Sequence, residues 1–302
     1  MLPLAYFFAL AGMIGCLPAF QSNQLIQITG DLAFSEIENF NIYGGLALAG
    51  ITGFVVIGGL KRIAEVATFL VPLMGSIYFG AMIVALILNL NLVLPAFKLI
   101  LVDAFNGTAI AGGTFFGVLI YGVRRGAFSN EAGMGTESLV HGVAKVSNPV
   151  KQGLVAMTGP IFDTLIICTA TALMILVSGV WETSSSQGVT LTAEAFSTLL
   201  GNFGGLILFV CVICFGLSTI FTYSYYGASC SRFLFGKFGM KFYIYLYILS
   251  IFIYSIVPID IAINIADGAF AMMAIPTLIS ALWLAPKVMQ ASKNYFKLID
   301  NN

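Results

Sequence analysis

Several polar clusters interrupt an otherwise apolar chain, and their residue types suit holding a small ion or zwitterion better than breaking bonds. The densest is Arg125-Gly126-Ala127-Phe128-Ser129-Asn130-Glu131-Ala132-Gly133-Met134-Gly135-Thr136, with Glu137 just after it. Its three glycines, Gly126, Gly133 and Gly135, admit backbone conformations closed to other residues. Irregular backbone at membrane depth survives only where it is buried in protein or lines a wet cavity. There, a broken helix offers its free backbone groups to ions and charged ligand ends. The competing reading is an ordinary loop outside the membrane. Arg125 is expected to pair with Glu131 or Glu137, or to snorkel to the surface, with Glu131 read first as its structural partner.

Three further groups could carry chemistry. Gln21-Ser22-Asn23-Gln24, followed by Gln27, lies near the end of the first apolar run. Helical spacing puts Gln21 beside Gln24 and Asn23 beside Gln27; a frayed helix end fits equally well. Asp163, in Gly159-Pro160-Ile161-Phe162-Asp163-Thr164, is either a functional intramembrane acid or a cap for backbone freed by Pro160. Ser218, Thr222 and Tyr226 recur at helical spacing beside Thr219 and Tyr223, a hydroxyl stripe suited either to a hard cation or to helix–helix hydrogen bonding. Asp267 is one more intramembrane acid, of unassigned role.

The elements that must position these residues are membrane helices. Of 302 residues, 59% are hydrophobic and 9% charged, with a mean hydropathy of +1.00, whereas soluble domains carry about 25% charged residues. Apolar runs long enough to span a bilayer recur from end to end. Eight spans are expected, at 2–28, 42–60, 64–90, 110–143 (interrupted), 152–180, 203–232, 240–257 and 261–285. Lys and Arg concentrate in alternate connections, and ten of the thirteen fall on one side. The positive-inside rule then makes both termini cytoplasmic, in a multi-pass protein of the plasma (inner) membrane. Residues 94–105 are expected to lie along the surface. Ser184–Gly188 reads as a flexible turn, with Thr192 capping a short helix.

Other functions find little support. The net charge is zero, which gives nucleic acid no electrostatic footing. The five cysteines lie in or beside apolar runs, so Cys211 and Cys214 read as buried small hydrophobes rather than a redox pair. The Gly112-Gly113 patch lacks a phosphate-binding lysine, and His141, the only histidine, has no metalloprotease motif around it. An intramembrane enzyme would need Asp163 and Asp267 as a facing pair. Met1 leads straight into apolar sequence without a basic start or cleavage site, and the expectation is a chain truncated at its N-terminus.

At the central stretch, at Pro149-Val150-Lys151-Gln152-Gly153, at Phe162-Asp163-Thr164 leading to Cys168-Thr169-Ala170-Thr171-Ala172, at Ile175–Trp181, and at Ser218-Thr219-Ile220 with Tyr225-Tyr226-Gly227, the chain resembles the alanine/glycine:cation symporter family. Gln21-Ser22-Asn23 and Gly58–Ile63 fit as well, in family order over nearly the whole length. The resemblance implies an all-α polytopic LeuT-like fold of two inverted repeats lacking its first helices. Residues 1–90 would be the remainder of the first repeat, 107–285 the second, and 286–302 a cytoplasmic tail, all one transmembrane domain.

The same resemblance implies sodium-coupled uptake of alanine or glycine. Gln21, Asn23, Phe128, Ser129, Thr219 and Tyr223 would face the substrate, Phe215 (through its carbonyl), Ser218 and Thr219 would hold sodium, and Gly126, Gly133 and Gly135 would form the break. The sequence departs from the family pattern at Tyr223, where Trp is usual, at Ala228, where Glu is usual, and at Thr136-Glu137-Ser138. The rival reading is a non-transporting membrane fragment or a structural partner of another chain.

Overall fold

The computed structural model describes residues 2–105 and 114–300, and of Thr114, Phe115, Ile299 and Asp300 the backbone alone. The start of the expected fourth span, with Gly112-Gly113, and the last two residues lie outside the described residues. The elements are helices: α1 (Leu2–Gly15), α2 (Ala19–Ala33), α3 (Phe40–Val56), α4 (Gly59–Leu88), α5 (Leu90–Ala104), α6 (Thr114–Asn130), α7 (Thr136–His141), α8 (Pro149–Pro160), a π-helical stretch (Ile161–Cys168), α9 (Thr169–Ser178), α10 (Val180–Thr183), α11 (Val189–Leu200), α12 (Asn202–Ile256) and α13 (Ile259–Asp300).

Five of these segments are long and apolar enough to cross a bilayer: Leu2–Ala33, Gly59–Leu88, Pro149–Ser178, Asn202–Ile256 and Ile259–Leu298. Their outer faces carry large apolar side chains, among them Phe69, Phe162, Phe238 and Trp283. Lipid accepts such a surface, whereas water would penalise a contiguous one of this size. The chain is a multi-pass helical membrane protein.

The first expected span is not continuous. It stops at Gly15, passes through Cys16-Leu17-Pro18 and restarts at Ala19. Pro18 has no N–H to donate and its ring blocks the helical path, so the break falls where the sequence places it. The glycines just before it serve packing. A Cβ at Gly12 would meet Cys230 Sγ, and one at Gly15 would meet Met273 Sδ, each at 2.8 Å. Small residues let α1 settle between α12 and α13.

α12 is the hub, packing on α1, α2, α3, α4 and α11. It is two antiparallel limbs, because Gly236, at φ 68° and ψ −157°, reverses the chain. That backbone region belongs to glycine. Tyr247 closes the hairpin, donating from its hydroxyl to the Ile220 carbonyl at 2.6 Å, and Tyr243 ties it to α1, donating to Met13 O at 2.9 Å. The connection expected between spans at Arg232–Lys241 is therefore a tight helical reversal.

The helix expected at 94–105 begins earlier, at Leu90. α8 starts where Asn148 Oδ1 accepts from Val150 N at 2.9 Å, with Pro149 in its first turn. α11 begins at Val189 behind Gly188, at φ 62°, with no side-chain cap. Thr192, expected as the cap, lies one turn inside and faces a cavity instead. The Ser184–Gly188 turn is held to α11 by Ser186 Oγ, which donates to Glu194 Oε1 at 2.5 Å. Hydrogen bonds from Ser184 and Ser186 hold the Glu194 carboxyl below its usual range.

Candidate functional site

The central stretch breaks as expected, but later than Gly126. Helix α6 runs unbroken through Gly126, which has open space around it, and ends at Asn130. The break is 131–135. Three of its residues are left-handed: Glu131 at φ 55°, Gly133 at φ 82° and Gly135 at φ 88°. Glu131 is one of two such non-glycine residues among those described, and its side chain explains the position. Its carboxylate accepts from the Tyr223 hydroxyl at 2.6 Å, which ties the break to the middle of α12. Strained backbone of this kind persists where surrounding contacts over-determine it. Gly135 is forced by crowding too, since a Cβ there would lie 2.6 Å from both Phe8 Cε2 and Thr277 Oγ1.

A cavity of about 500 Å³ opens beside the break. α2 contributes Gln21 and Gln24, α6 ends in it with Phe128 and Ser129, and Glu131 follows. The π-helical stretch adds Asp163 and Cys168, α11 adds Thr192, and α12 adds Phe215, Thr219 and Tyr223. Gln21, Phe128, Ser129, Phe215, Thr219 and Tyr223, drawn from three separate parts of the sequence, therefore share one wall system. Phe128 stands edge-on between Phe20 and Phe270, with ring centres 5.4 Å and 5.2 Å away.

Asn23 is not part of this cavity. Its amide donates to the carbonyls of Val257, at 2.7 Å, and Tyr254, at 3.3 Å, at the end of α12. It lines a separate recess with Gln27. The α2 polar cluster divides by cavity, Gln21 with Gln24 and Asn23 with Gln27, and Gln24 bridges the two, its amide donating to Gln27 Oε1 at 2.8 Å and to Asn23 Oδ1 at 3.4 Å. Asn23 is a tie between α2 and α12, and Gln24 takes the second polar place in the cavity.

Ser218 and Thr219 point to neighbouring faces. Ser218 is buried against α4, donating to Phe215 O at 2.9 Å with Met74 Sδ at 3.9 Å, while Thr219 lines the cavity. Thr222 and Ser224 bond back to carbonyls of their own helix. Within the stripe it is Tyr223 that reaches another element, at Glu131, and elsewhere Tyr78 bonds to Thr171 at 2.8 Å.

The charges inside the spans are paired differently from the expectation. Arg125 does not meet Glu131. Its guanidinium donates to Asp267 on α13 and lies over the rings of Tyr121 and Phe128, 5.4 Å from each. Planar, weakly hydrated guanidinium suits such a partly desolvated place. This gives Asp267 its role. The pair stands beside a second cavity of about 500 Å³, lined by Arg124, Asn264, Asp267 and Phe270. Asp163 turns to the first cavity rather than to the Pro160 backbone, accepting from Ser129 Oγ at 2.6 Å and from Thr164 Oγ1 at 3.2 Å. Asp163 and Asp267 face different cavities and do not form the pair an intramembrane enzyme would need.

Sequence reasoning missed the Pro18 break, although Gly15-Cys16-Leu17-Pro18 signals one. It also missed the π-helical stretch, for which the sequence carries no clear sign.

Comparison with known proteins identifies the family. The family model of the sodium:alanine symporter family matches residues 2–302. The sodium/alanine symporter AgcS of Methanococcus maripaludis is 35% identical over 245 residues, covering 80% of this chain and 54% of that protein. An uncharacterized transporter of Haemophilus influenzae is 34% identical over 248 residues, covering 80% of this chain and 54% of its own length. The probable sodium/glutamine symporter GlnT of Bacillus subtilis is 33% identical over 237 residues, covering 78% and 50%. The chain spans about half the length of the curated relatives it matches. With its family model matched from residue 2 to the end, the chain belongs to the sodium:alanine symporter family.

Proposed function

We propose that the chain carries the cavity side of a sodium-coupled symporter for small neutral amino acids, alanine or glycine, in a LeuT-like inverted-repeat fold of eight spans with both termini cytoplasmic. The observation that carries this reading is the cavity at the helix break, where Gln21, Phe128, Ser129, Thr219 and Tyr223 converge beside unwound backbone. A pocket of this kind suits a zwitterion: mostly apolar walls for a small side chain, and a few polar groups for its charged ends. The named activities of AgcS, a sodium/alanine symporter, and GlnT, a probable sodium/glutamine symporter, support the same class of substrate.

For sodium, Phe215 O, Ser218 Oγ and Thr219 Oγ1 are the residues that would hold the ion. The approach of Ser218 Oγ to Phe215 O, at 2.9 Å, brings two neutral hard oxygens together, and Thr219 is next in sequence. Their oxygens are of the hard, neutral kind such a cation takes, about six at a time, and Thr219 Oγ1 would have to turn from the cavity toward Ser218 to join them. Three donors leave the shell incomplete, so further oxygens must come from another segment. A bound cation there would stabilise the conformation that also binds the amino acid, and each ligand would then raise the other's affinity.

The test is sodium-dependent binding and uptake of labelled alanine in proteoliposomes. The 302-residue chain alone is expected to show no sodium-driven uptake. Co-reconstitution with the unmatched half of a family relative should restore it, and Ser218→Ala with Thr219→Ala should remove it again. Uptake that survives the double substitution would refute the ion site; no alanine binding under any of these conditions would refute the substrate reading and favour the structural-partner reading.

A further inference from the structure

Three carboxylates face the cavities beside α6, and their partners differ in kind. Asp267 meets the Arg125 guanidinium, and Glu131 meets the Tyr223 hydroxyl. Asp163 meets only the hydroxyls of Ser129 and Thr164 among the described contacts, and no Lys, Arg or His lines its cavity. An acid within a membrane helix calls for a compensating charge. Among the described residues none is supplied at Asp163, and the side chain borders space large enough for a small ligand.

The geometry of Ser129 sharpens this. A serine hydroxyl has one proton and two lone pairs. Ser129 donates that proton to Asp163, leaving its lone pairs to act as acceptors in the cavity. Cys168 Sγ, 3.3 Å from Ser129 Oγ, marks the same spot. Asp163 and Cys168 both sit on the π-helical stretch, whose widened turn is a feature frequent at functional sites. This end of the cavity therefore presents a carboxylate and an oriented acceptor, with no opposing cation.

We propose that Asp163 and Ser129 together receive the ammonium group of the bound amino acid. Ser129 accepts a hydrogen bond from it, while Asp163 is the positioning residue that orients Ser129 and supplies the negative charge. The cavity then selects ligands with a primary ammonium over isosteres that lack one. This rests on the reading that the cavity binds an amino acid.

Two measurements on the full chain in proteoliposomes test it. In the first, L-alanine and L-lactate, which replaces the ammonium by a hydroxyl, are titrated against each other. Wild type is expected to prefer alanine. Asp163→Asn should reduce that preference by about 10- to 100-fold through the alanine affinity alone, and Asp163→Glu should recover part of it. Equal losses for both ligands, or an unchanged preference, overturn the inference.

In the second, Cys168 is modified by a cationic or an anionic methanethiosulfonate and the adduct is located by mass spectrometry. The cation-to-anion rate ratio should fall by about tenfold in Asp163→Asn. An unchanged ratio overturns the inference whether or not alanine binds. If the ratio falls but wild type binds no alanine, the amino-acid reading is what fails, and recognition of a cationic group at Asp163 stands.

Discussion

Tyr223 and Glu131, 92 residues apart in sequence, are joined by a hydrogen bond of 2.6 Å that holds the helix break against the first limb of α12. Tyr223 is buried, and Glu131 takes a left-handed backbone to reach it. The bond thus fastens the break to the hydroxyl-bearing helix, and both line the same cavity.

Tyr223→Phe removes the donor and leaves a largely desolvated carboxylate without it. The expected cost is about 1–3 kcal/mol of stability, read as a lower thermal midpoint in detergent. Glu131→Gln in the same background should recover part of it, since a neutral amide needs the phenol less. Strict additivity of the two substitutions would show that the bond carries no coupling.

Arg125 and Asp267 form the other internal tie. Asp267→Asn leaves a guanidinium between two aromatic rings with no counter-charge, and a loss of about 1–3 kcal/mol is expected for this half-buried pair. Replacing both residues by methionine should be less damaging than either single change, because removing a pair also removes its desolvation penalty. Thermal unfolding of the three variants measures this, and a double variant worse than both singles would contradict it.

The glycines of the central stretch should separate into three classes. Gly126→Ala, in mid-helix with open space, should be neutral or stabilising by up to about 1 kcal/mol. Gly133→Ala has room, with Leu278 Cδ2 at 3.5 Å, but must adopt a left-handed backbone, at about 1–2 kcal/mol. Gly135→Ala adds a clash with Phe8 and Thr277 and should be the worst of the three. The larger Gly133→Leu is expected to abolish alanine binding while the protein still inserts. Thermal midpoints and binding of the four variants provide the check.

The Ser184–Gly188 turn should loosen in acid. The Glu194 carboxyl is held below its usual range by the Ser184 and Ser186 hydroxyls, so the tie is fully present above the unfolded carboxylate range. It is lost as pH falls through the lowered folded value. Amide exchange at 184–189 should therefore speed up toward low pH beyond its intrinsic dependence. Glu194→Gln should be fast at every pH, and an identical pH profile in that variant would refute the link.

Sidedness is testable directly. Gln187→Cys and Lys237→Cys, placed on the α11 turn and next to the Gly236 reversal, should label from opposite sides of the membrane. Labelling of both from one side would overturn the orientation drawn from the alternating charges.

Hydropathy and composition were enough to mark this chain as a bundle of membrane helices, and glycine spacing was enough to locate a break near Gly133 and Gly135. Both are local properties: an apolar run long enough to span, and a backbone that only glycine adopts easily, are written in adjacent residues. The Pro18 break is written just as locally, yet the span expected at 2–28 ran through it. Helical periodicity also divided Gln21 and Gln24 from Asn23 and Gln27, but it named faces without naming what each face meets. Only the tertiary structure put Asn23 on the carbonyls of Tyr254 and Val257, and Gln24 in the cavity. Only it turned Arg125 from the nearby Glu131 to Asp267, 142 residues away. Inside a membrane a charge takes whichever partner the packed helices bring within reach, and that is set by how α6 lies on α13 rather than by distance along the chain.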